Sequence, residues 1–230
     1  QGTFFVGGMV GYNGAGLTIQ SDGSNTAAYG AALSPYSNAK VTATSNTGNN
    51  ACVGGIVGCA SQYTSSTATI NDTSFTGASV TGPGAYVGGL IGYSNGTSIT
   101  SSSATGNVTA NGGNNVGGLV GQSMHNIIDS YATGVVQSSA SNVGGLVGYS
   151  YRNVTNSYAT GNVTSTGVNS SNTGGLIGYQ DGYVVADSQY TTGTVTGMSS
   201  VGGLIGATNS SAVIKGSSTS RPVIATYDYV

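Results

Sequence analysis

The segment Val-Gly-Gly-Leu-Val-Gly-Tyr recurs seven times along the chain with small changes, and this repetition limits the folds available to the sequence. The copies begin at Val6, Val53, Val87, Val116, Val143, Thr173 and Val201. Successive copies are separated by 47, 34, 29, 27, 30 and 28 residues. A unit that recurs at a nearly fixed interval predicts a repeat architecture, in which each unit contacts mainly its neighbours.

A second element follows most copies of the first. It reads Ser-Tyr-Ala-Thr-Gly-Asn-Val-Thr at 157–164, and related runs lie at 127–134, 99–109, 70–81 and 185–196, with a degenerate one at 214–226. Each unit then contains three short β-like runs separated by Gly, Asn and Ser, which are residues of turns. The sequence predicts three strands per unit.

The period of 27–30 residues fits one coil of a β-solenoid. We predict an all-β fold, a single β-solenoid (β-helix) of about seven coils with no helices of note. Glu is absent, and Lys and Arg together number only 4, so the chain is poor in helix-forming residues. The alternatives are a β-propeller or a sandwich, but a four-stranded propeller blade needs about 40 residues.

Stacked coils place equivalent side chains above one another, and the alignment predicts these columns. One column contains Met9, Ile56, Leu90, Leu119, Leu146, Leu176 and Leu204. The next contains Val10, Val57, Ile91, Val120, Val147, Ile177 and Ile205, and a third contains Val80, Val108, Val136, Val163, Val195 and Val223. An aromatic column of Phe75, Tyr131, Tyr158 and Tyr190 is predicted beside a small one of Ala104, Ala132 and Ala159.

The first two columns raise a question about the strand that carries them. Adjacent side chains in a strand point to opposite faces. Both columns can therefore enter one core only if the chain bends at the glycines around them. Without such a bend, one apolar column lies outside and needs a partner sheet or another subunit.

We predict one domain, residues 1–230, with an irregular insertion within 13–52 and a strand-like tail at 222–230. The sequence begins with Gln1 rather than Met. We therefore expect that a secretory signal peptide has been removed and that the protein is extracellular or at the cell surface. No apolar run approaches the roughly 18 residues that a membrane-spanning helix needs.

The Gly-Gly-Leu-Val-Gly and Asn-Ser-Tyr-Ala-Thr-Gly-Asn-Val-Thr runs within 144–164 resemble the GLUG-type repeat family of bacterial and archaeal extracellular surface proteins. The resemblance covers most of 53–210 and weakens outside it. It implies an adhesin-like β-solenoid with an extracellular location, and it implies no catalytic residue.

The composition excludes several classes of function. Only 4% of the residues are charged, and the net charge is -2, so no basic surface for nucleic acid and no polybasic membrane patch can form. A zinc-protease helix needs two histidines, and this chain has one, His125. Asp129 and Asp187 share a repeat position and could flank a sugar, but such residues usually cap turns. We expect no enzyme activity, no cofactor and no metal site.

Two kinds of covalent modification are candidates. Cys52 and Cys59 flank one Gly-Gly pair, where an extended chain would hold them about 20 Å apart. A disulfide between them requires the chain to bend back at Gly54-Gly55, because Cα atoms must approach within about 7 Å. Seven N-glycosylation sequons lie at Asn71, Asn95, Asn107, Asn153, Asn162, Asn169 and Asn209.

The two ends carry apolar, strand-like segments without a polar cap or an amphipathic helix. The candidate subunit-contact residues are Phe4, Phe5, Val6, Val223, Ile224, Tyr227 and Tyr229. We predict a non-catalytic structural subunit of an extracellular filament or surface fibre, assembled head to tail with copies of itself. The alternative is an adhesin or surface-binding module, a fragment of a longer protein that recognises glycans or a host surface through tyrosines such as Tyr93, Tyr149 and Tyr179.

Overall fold

The chain winds into a parallel β-solenoid in which each of coils two to seven contributes one short strand to each of five sheets. The structure is a computed structural model and describes residues 5–7, 10–13, 19–20, 40–43, 51–61, 68–168 and 170–226. Within these residues four sheets hold seven strands and one sheet holds six. The fold therefore has about seven coils, as predicted, and the buried core extends from Val41 and Ala43 of coil one through coil six.

The first two sheets flank the Gly-Gly bend of each coil. Sheet I contains β1 (Phe5–Gly7), β5 (Cys52–Gly54), β10 (Tyr86–Gly88), β15 (Asn115–Gly117), β20 (Asn142–Gly144), β25 (Ser171–Gly174) and β30 (Ser199–Gly202). Sheet II contains β2 (Val10–Asn13), β6 (Val57–Ser61), β11 (Ile91–Asn95), β16 (Val120–Ser123), β21 (Val147–Ser150), β26 (Ile177–Gln180) and β31 (Ile205–Thr208).

The other three sheets complete the coil. Sheet III contains β3 (Ile19–Gln20), β7 (Ala68–Asn71), β12 (Thr97–Thr100), β17 (Ile127–Ile128), β22 (Val154–Thr155), β27 (Val184–Ala186) and β32 (Val213–Lys215). Sheet IV contains β8 (Ser74–Phe75), β13 (Ser103–Ala104), β18 (Tyr131–Ala132), β23 (Tyr158–Ala159), β28 (Gln189–Tyr190) and β33 (Ser218–Thr219). Sheet V contains β4 (Lys40–Thr42), β9 (Ser79–Gly82), β14 (Asn107–Ala110), β19 (Val136–Ser138), β24 (Val163–Ser165), β29 (Val195–Gly197) and β34 (Val223–Ala225).

Each of coils two to seven contains five strands rather than the three predicted. The run that was expected to be one strand through Gly-Gly-Leu-Val is two strands, because the chain bends at the second glycine and the leucine. The run Val-Thr-Asn-Ser-Tyr-Ala at 154–159 contains two strands, Val154–Thr155 and Tyr158–Ala159, separated by a turn. The strand β3 and the strand β4 both lie within the region 13–52 that was predicted to be irregular.

The bend explains how two adjacent apolar columns share one core. Leu119 and Val120 are neighbours in sequence, and both side chains are fully buried. Their backbone N–H groups both donate to the carbonyl of Leu146 in the next coil, at 2.8 and 3.1 Å. This pair of hydrogen bonds to one carbonyl accompanies the bend of the chain. In coils two to six, both apolar columns are therefore buried. Met9 of the first column lies outside the described residues.

The second glycine of the pair makes room for sheet IV. A Cβ added at Gly118 would collide with the carbonyl oxygen of Gly145 and would lie 2.9 Å from the Cβ of Ala132. Equivalent contacts relate Gly89 to Ala104 at 2.9 Å and Gly145 to Ala159 at 3.0 Å. The small column of sheet IV therefore packs directly on glycine backbone, and neither side can be enlarged.

The predicted aromatic column is wrong by one residue for two of its four members. Strand pairing aligns Phe75 with Ala104, and Ala159 with Tyr190, so these rings belong to the inward alanine column. Tyr131 and Tyr158 pair with each other in the outward column instead, where their rings stack at 4.9 Å. Because alternate residues face opposite sides, a shift of one residue exchanges the core for the surface.

The inward tyrosine closes the core near one end of the stack. Tyr190 is 1% exposed, and its ring lies against Gly175, whereas its hydroxyl donates to the carbonyl of Gly161 at 3.0 Å. Burial raises the pKa of Tyr190 to about 12. Phe75 fills the equivalent space against Gly55 in coil two.

The turn between sheets III and IV uses a left-handed residue in each coil. Asp72, Ser101, Asp129, Asn156 and Asp187 have φ between 48° and 51°, and Gly216 has φ 59° at the same place in coil seven. Asp and Asn tolerate this conformation better than most side chains because they bond locally to backbone. The repeated Asp or Asn of the sequence is therefore a turn residue.

A buried hydroxyl ladder follows this turn and links the coils. Its members are Thr73, Ser102, Ser130, Ser157, Ser188 and Ser217. Each hydroxyl donates to the backbone carbonyl two residues earlier. The Ser130 hydroxyl, for example, donates to the carbonyl of Ile128 at 2.7 Å. Each backbone N–H donates to the hydroxyl of the next coil, as Ser102 N does to Ser130 Oγ at 3.1 Å. One serine thus satisfies two buried backbone groups.

We predict that Gly118→Ala destabilises the solenoid by at least about 2 kcal/mol, because backbone and not a flexible side chain occupies the space of the new Cβ. The control is Gln137→Ala at an exposed side chain of β19, which should change stability by less than about 0.5 kcal/mol. Urea unfolding followed by far-UV circular dichroism measures both. Equal unfolding midpoints for the two variants would contradict the packing described.

We predict that Ser130→Ala costs about 1–3 kcal/mol, since it leaves the buried N–H of Ser102 without an acceptor. Ser141→Ala is the matched control, because the Ser141 hydroxyl makes no hydrogen bond among the described residues. The same urea titration compares them. If the Ser130 variant unfolds at the urea concentration of its control, the ladder does not stabilise the coil.

Candidate functional site

The acidic residues of the described chain do not gather into a catalytic or metal-binding group. No group of three His, Cys or Asp side chains that could hold a metal occurs in these residues. Asp129 is exposed at its turn and accepts a hydrogen bond from the Nδ2 of Asn156, and Asp187 occupies the same turn two coils from it. Their geometry is that of turn residues and not of a carboxylate pair facing a cleft.

The one histidine lies in the turn between sheets II and III. The Ser123 hydroxyl donates to the carbonyl of His125 at 2.8 Å and holds this turn. Burial of the half-buried ring and the nearby positive charge of Arg152 lower the pKa of His125. The imidazole is therefore neutral at pH 7.

Cys52 and Cys59 are joined by a disulfide with their Cα atoms 5.5 Å apart. The chain bends at Gly55 and Ile56, between β5 and β6, and this bend brings the two cysteines together. Strand pairing aligns Cys52 with Tyr86 and Cys59 with Tyr93 of the next coil.

The same two positions are linked differently in the next two coils. In coil three the Tyr86 and Tyr93 rings lie 5.0 Å apart. In coil four the Nδ2 of Asn115 donates to Gln122 Oε1 at 2.7 Å. The disulfide is thus one of three kinds of contact that join the two strands on either side of the Gly-Gly bend.

Six of the seven sequons lie in the described residues, and Asn169 lies outside them. Asn107 and Asn162 are exposed, and each Oδ1 accepts a backbone N–H of the next coil at 2.9 Å, from Val135 and from Thr194. The half-buried sequon asparagines are Asn71, Asn95, Asn153 and Asn209. Glycosylation of these sites stays a prediction.

The last coil presents an apolar face, which we call the open face and define as strands β30–β34. The columns that are fully buried inside the stack continue into it and become exposed. Ile214 is 52% exposed, and Val223 is 43% exposed, whereas Val185 and Val195, directly above them in coil six, are 0% exposed. Val201, Leu204 and Ile205 are partly buried.

The candidate contact residues have different positions relative to this face. Val223 and Ile224 lie in β34, and both are exposed. Phe5 and Val6 lie in β1, the first strand of sheet I. Phe4, Tyr227 and Tyr229 lie outside the described residues.

A second surface runs along the side of coils five to seven, and we call it the tyrosine ridge. It is formed by Tyr149, Tyr151, Arg152, Tyr179, Asp181, Tyr183 and Asn209. The Tyr149 and Tyr179 rings stack at 5.4 Å, and the Tyr149 hydroxyl donates to Asp181 Oδ2 at 2.7 Å. Burial, followed by the bond to Asp181, raises the pKa of Tyr149.

The ridge also holds an arginine between two tyrosines. The Arg152 guanidinium carbon lies 4.5 Å from the Tyr183 ring centroid and 5.4 Å from that of Tyr151, and the guanidinium donates to the Tyr183 hydroxyl. Sequence reasoning named Tyr149 and Tyr179 but missed Tyr151, Arg152 and Tyr183. These three lie in the turns between sheets II and III, outside the repeated motifs, where an alignment of repeats has no signal.

The tyrosines named for sugar stacking do not offer free ring faces of the usual kind. Tyr149 and Tyr179 cover one face of each other, and Tyr93 lies beside Tyr86.

Among the residues described, no helix has the length and apolar composition that a bilayer crossing needs. Three segments of the chain match the family described as the GLUG motif, at 84–109, 112–137 and 139–164, and they correspond to coils three to five. No curated protein and no solved structure was found to match. GLUG repeats usually occur in extracellular or surface proteins. The three matched coils are GLUG repeats, and the β-solenoid as a whole is consistent with a GLUG-type repeat protein.

Proposed function

We propose that this chain is a non-catalytic structural module of an extracellular surface protein that assembles head to tail, with coil one of one copy covering the open face of the next. The observation that carries the proposal is the exposure of core columns at coil seven. Ile214 and Val223 continue columns whose members in coils two to six are at most 1% exposed. Covering such side chains is worth about 1–2 kcal/mol each.

Coil one has the strand pattern that such a contact needs. Its strands β1, β2 and β3 place Val6, Val10 and Ile19 in the columns that end at Val201, Ile205 and Ile214. A copy docked in register would therefore continue the same columns and the same parallel pairing. A heterologous contact of this kind does not close and produces a filament.

The charge of Lys215 is compatible with this polarity. Lys215 lies in β32 of the open face, and in the head-to-tail register it faces the uncharged Gln20. Lys40 faces Pro222, which follows Arg221, so one pair of cations lies at neighbouring positions of the proposed contact.

We predict that the 230-residue protein forms particles whose mass rises with concentration, and that Ile214→Lys keeps it monomeric near 22.4 kDa. The lysine would place a charge in the covered column. Gln137→Lys adds the same charge on the side of coil four and should assemble like the unmodified chain. Sedimentation velocity and negative-stain microscopy give the sizes, and circular dichroism checks the fold.

Three outcomes would overturn the assembly proposal. A single 22.4 kDa species at all concentrations would exclude self-association. A dimer that does not grow would exclude head-to-tail stacking. Assembly of the Ile214→Lys variant equal to that of the Gln137→Lys variant would exclude the open face as the contact.

A second candidate function is surface binding, as in an adhesin that recognises glycans or a host surface. The observation that favours it is the tyrosine ridge, which lies on the side of the stack and stays accessible in a head-to-tail filament. The two functions are compatible, because they use different surfaces.

A further inference from the structure

Arg152 is held in a fixed orientation by aromatic neighbours rather than by an acid. Among the described residues, its guanidinium contacts the rings of Tyr151 and Tyr183 and donates to the Tyr183 hydroxyl. A guanidinium carries five N–H donors in a planar fork, and the bond to one hydroxyl leaves donors of that fork for a ligand. A planar fork positioned in this way suits the two oxygens of a carboxylate.

The neighbouring acid does not compete for this arginine. Both carboxylate oxygens of Asp181 are engaged, one by the Tyr149 hydroxyl at 2.7 Å and the other by the Nδ2 of Asn209. The acid therefore fixes the stacked tyrosines and the turn of coil seven. Asp181 therefore holds Tyr149 and Asn209 in place, and it forms no direct ion pair with Arg152 among the described residues.

The backbone of the ridge is held in an uncommon conformation at Tyr183. This residue has φ 63°, immediately after Gly182 with φ 69°, and its side chain is 40% exposed. A bulky residue in the left-handed region costs free energy and persists only where the surroundings enforce it. The turn therefore presents the ring and hydroxyl of Tyr183 beside the guanidinium at a conformational cost.

A buried amide supports the two turns from below. The Nε2 of Gln180 donates to the carbonyls of Arg152 at 3.0 Å and of Gly182 at 2.6 Å. Its Oε1 is buried and finds no donor among the described residues. Ser150 holds the Arg152 carbonyl as well, at 3.0 Å, so the arginine turn is fixed from two coils.

The chemistry around the arginine indicates which anion fits. The ridge offers one cation, phenol hydroxyls and planar amides, and Lys40, Lys215 and Arg221 lie on the two end coils. Nucleic-acid binding draws its affinity from several cations that contact successive phosphates, and the ridge has only one cation. Tyrosine and arginine also form protein-binding surfaces, but this ridge is a line of polar and aromatic groups repeating about every 4.8 Å along the axis. That arrangement favours a linear, hydroxyl-rich chain.

We propose that the tyrosine ridge binds an acidic glycan, with Arg152 pairing with a sugar carboxylate and with Tyr151 and Tyr183 contacting the sugar ring beside it. This site rests on the second candidate function and names its ligand class. It uses residues that the assembly proposal does not use.

The test compares polygalacturonate with its methyl-esterified form, in which each carboxylate is replaced by a neutral methyl ester. Binding of both polymers to the full chain is measured by affinity electrophoresis and calorimetry. We expect polygalacturonate to bind and Arg152→Gln to weaken binding about tenfold or more, as loss of a bidentate charge pair does. Arg152→Lys keeps the charge but loses the fork, and it should bind weakly as well. Arg221→Gln removes one cation from coil seven and should bind within about twofold of the unmodified chain.

Several results would overturn the glycan proposal. The first is that the Arg152→Gln variant binds polygalacturonate as tightly as the unmodified chain does. The second is that Arg221→Gln loses as much affinity as Arg152→Gln, and the third is that the esterified polymer binds as tightly as polygalacturonate. The fourth is that neither polymer binds. The last result is also the one expected for a ridge that binds a protein. Sedimentation of every variant is recorded in parallel, so that a failure of glycan binding is distinguished from a failure of assembly or folding.

Discussion

Parallel, in-register stacking is the constraint on which the rest of this structure depends. Every residue lies about 4.8 Å from its equivalent in the coils above and below, so each side chain must tolerate a copy of itself as a neighbour. Apolar side chains, hydroxyls and amides meet this condition. The Nδ2 of Asn142 donates to Asn115 Oδ1 at 2.6 Å, and that of Asn172 donates to Asn142 Oδ1 at 2.8 Å, so one amide supplies both a donor and an acceptor. A column of like charges would repel along its whole length, which accounts for a charged fraction of 4%.

The glycines convert this stacking into a closed coil. In coils two to six, the first and second glycines of each pair leave no room for a Cβ, because backbone carbonyls of the same coil and of the next occupy the space. The bend that they permit brings the leucine and the following valine into one core. The bend also brings together two strand residues that are seven positions apart in the sequence. In coils two, three and four these residues are linked by a disulfide, a tyrosine ring pair and a hydrogen bond between side-chain amides. Bends and ladders are therefore consequences of one backbone geometry repeated in each coil.

Repeat periodicity was sufficient to predict the solenoid, the coil number and the three main apolar columns, since the alignment of equivalent residues is itself the stacking pattern. Details that depend on one-residue offsets were not predictable in this way. Phe75 and Tyr190 align with alanines and not with Tyr131, because the strands of sheet IV are two residues long and alternate between core and surface. The serine ladder was visible as a repeated Ser but had no assigned role. The contact of Arg152 with Tyr183 depends on turns of unequal composition, which carry no repeat signal.

The core columns continue to an exposed face at coil seven, and the proposed head-to-tail contact would cover that face. Amide hydrogen exchange measured at increasing protein concentration tests this claim most directly, with residues 199–225 as the reporter and 115–138 as the internal reference. Protection of the coil-seven amides should rise with concentration, while protection of coil four, which is already covered on both sides, should not change. Exchange in coil seven that is the same at every concentration would contradict the account.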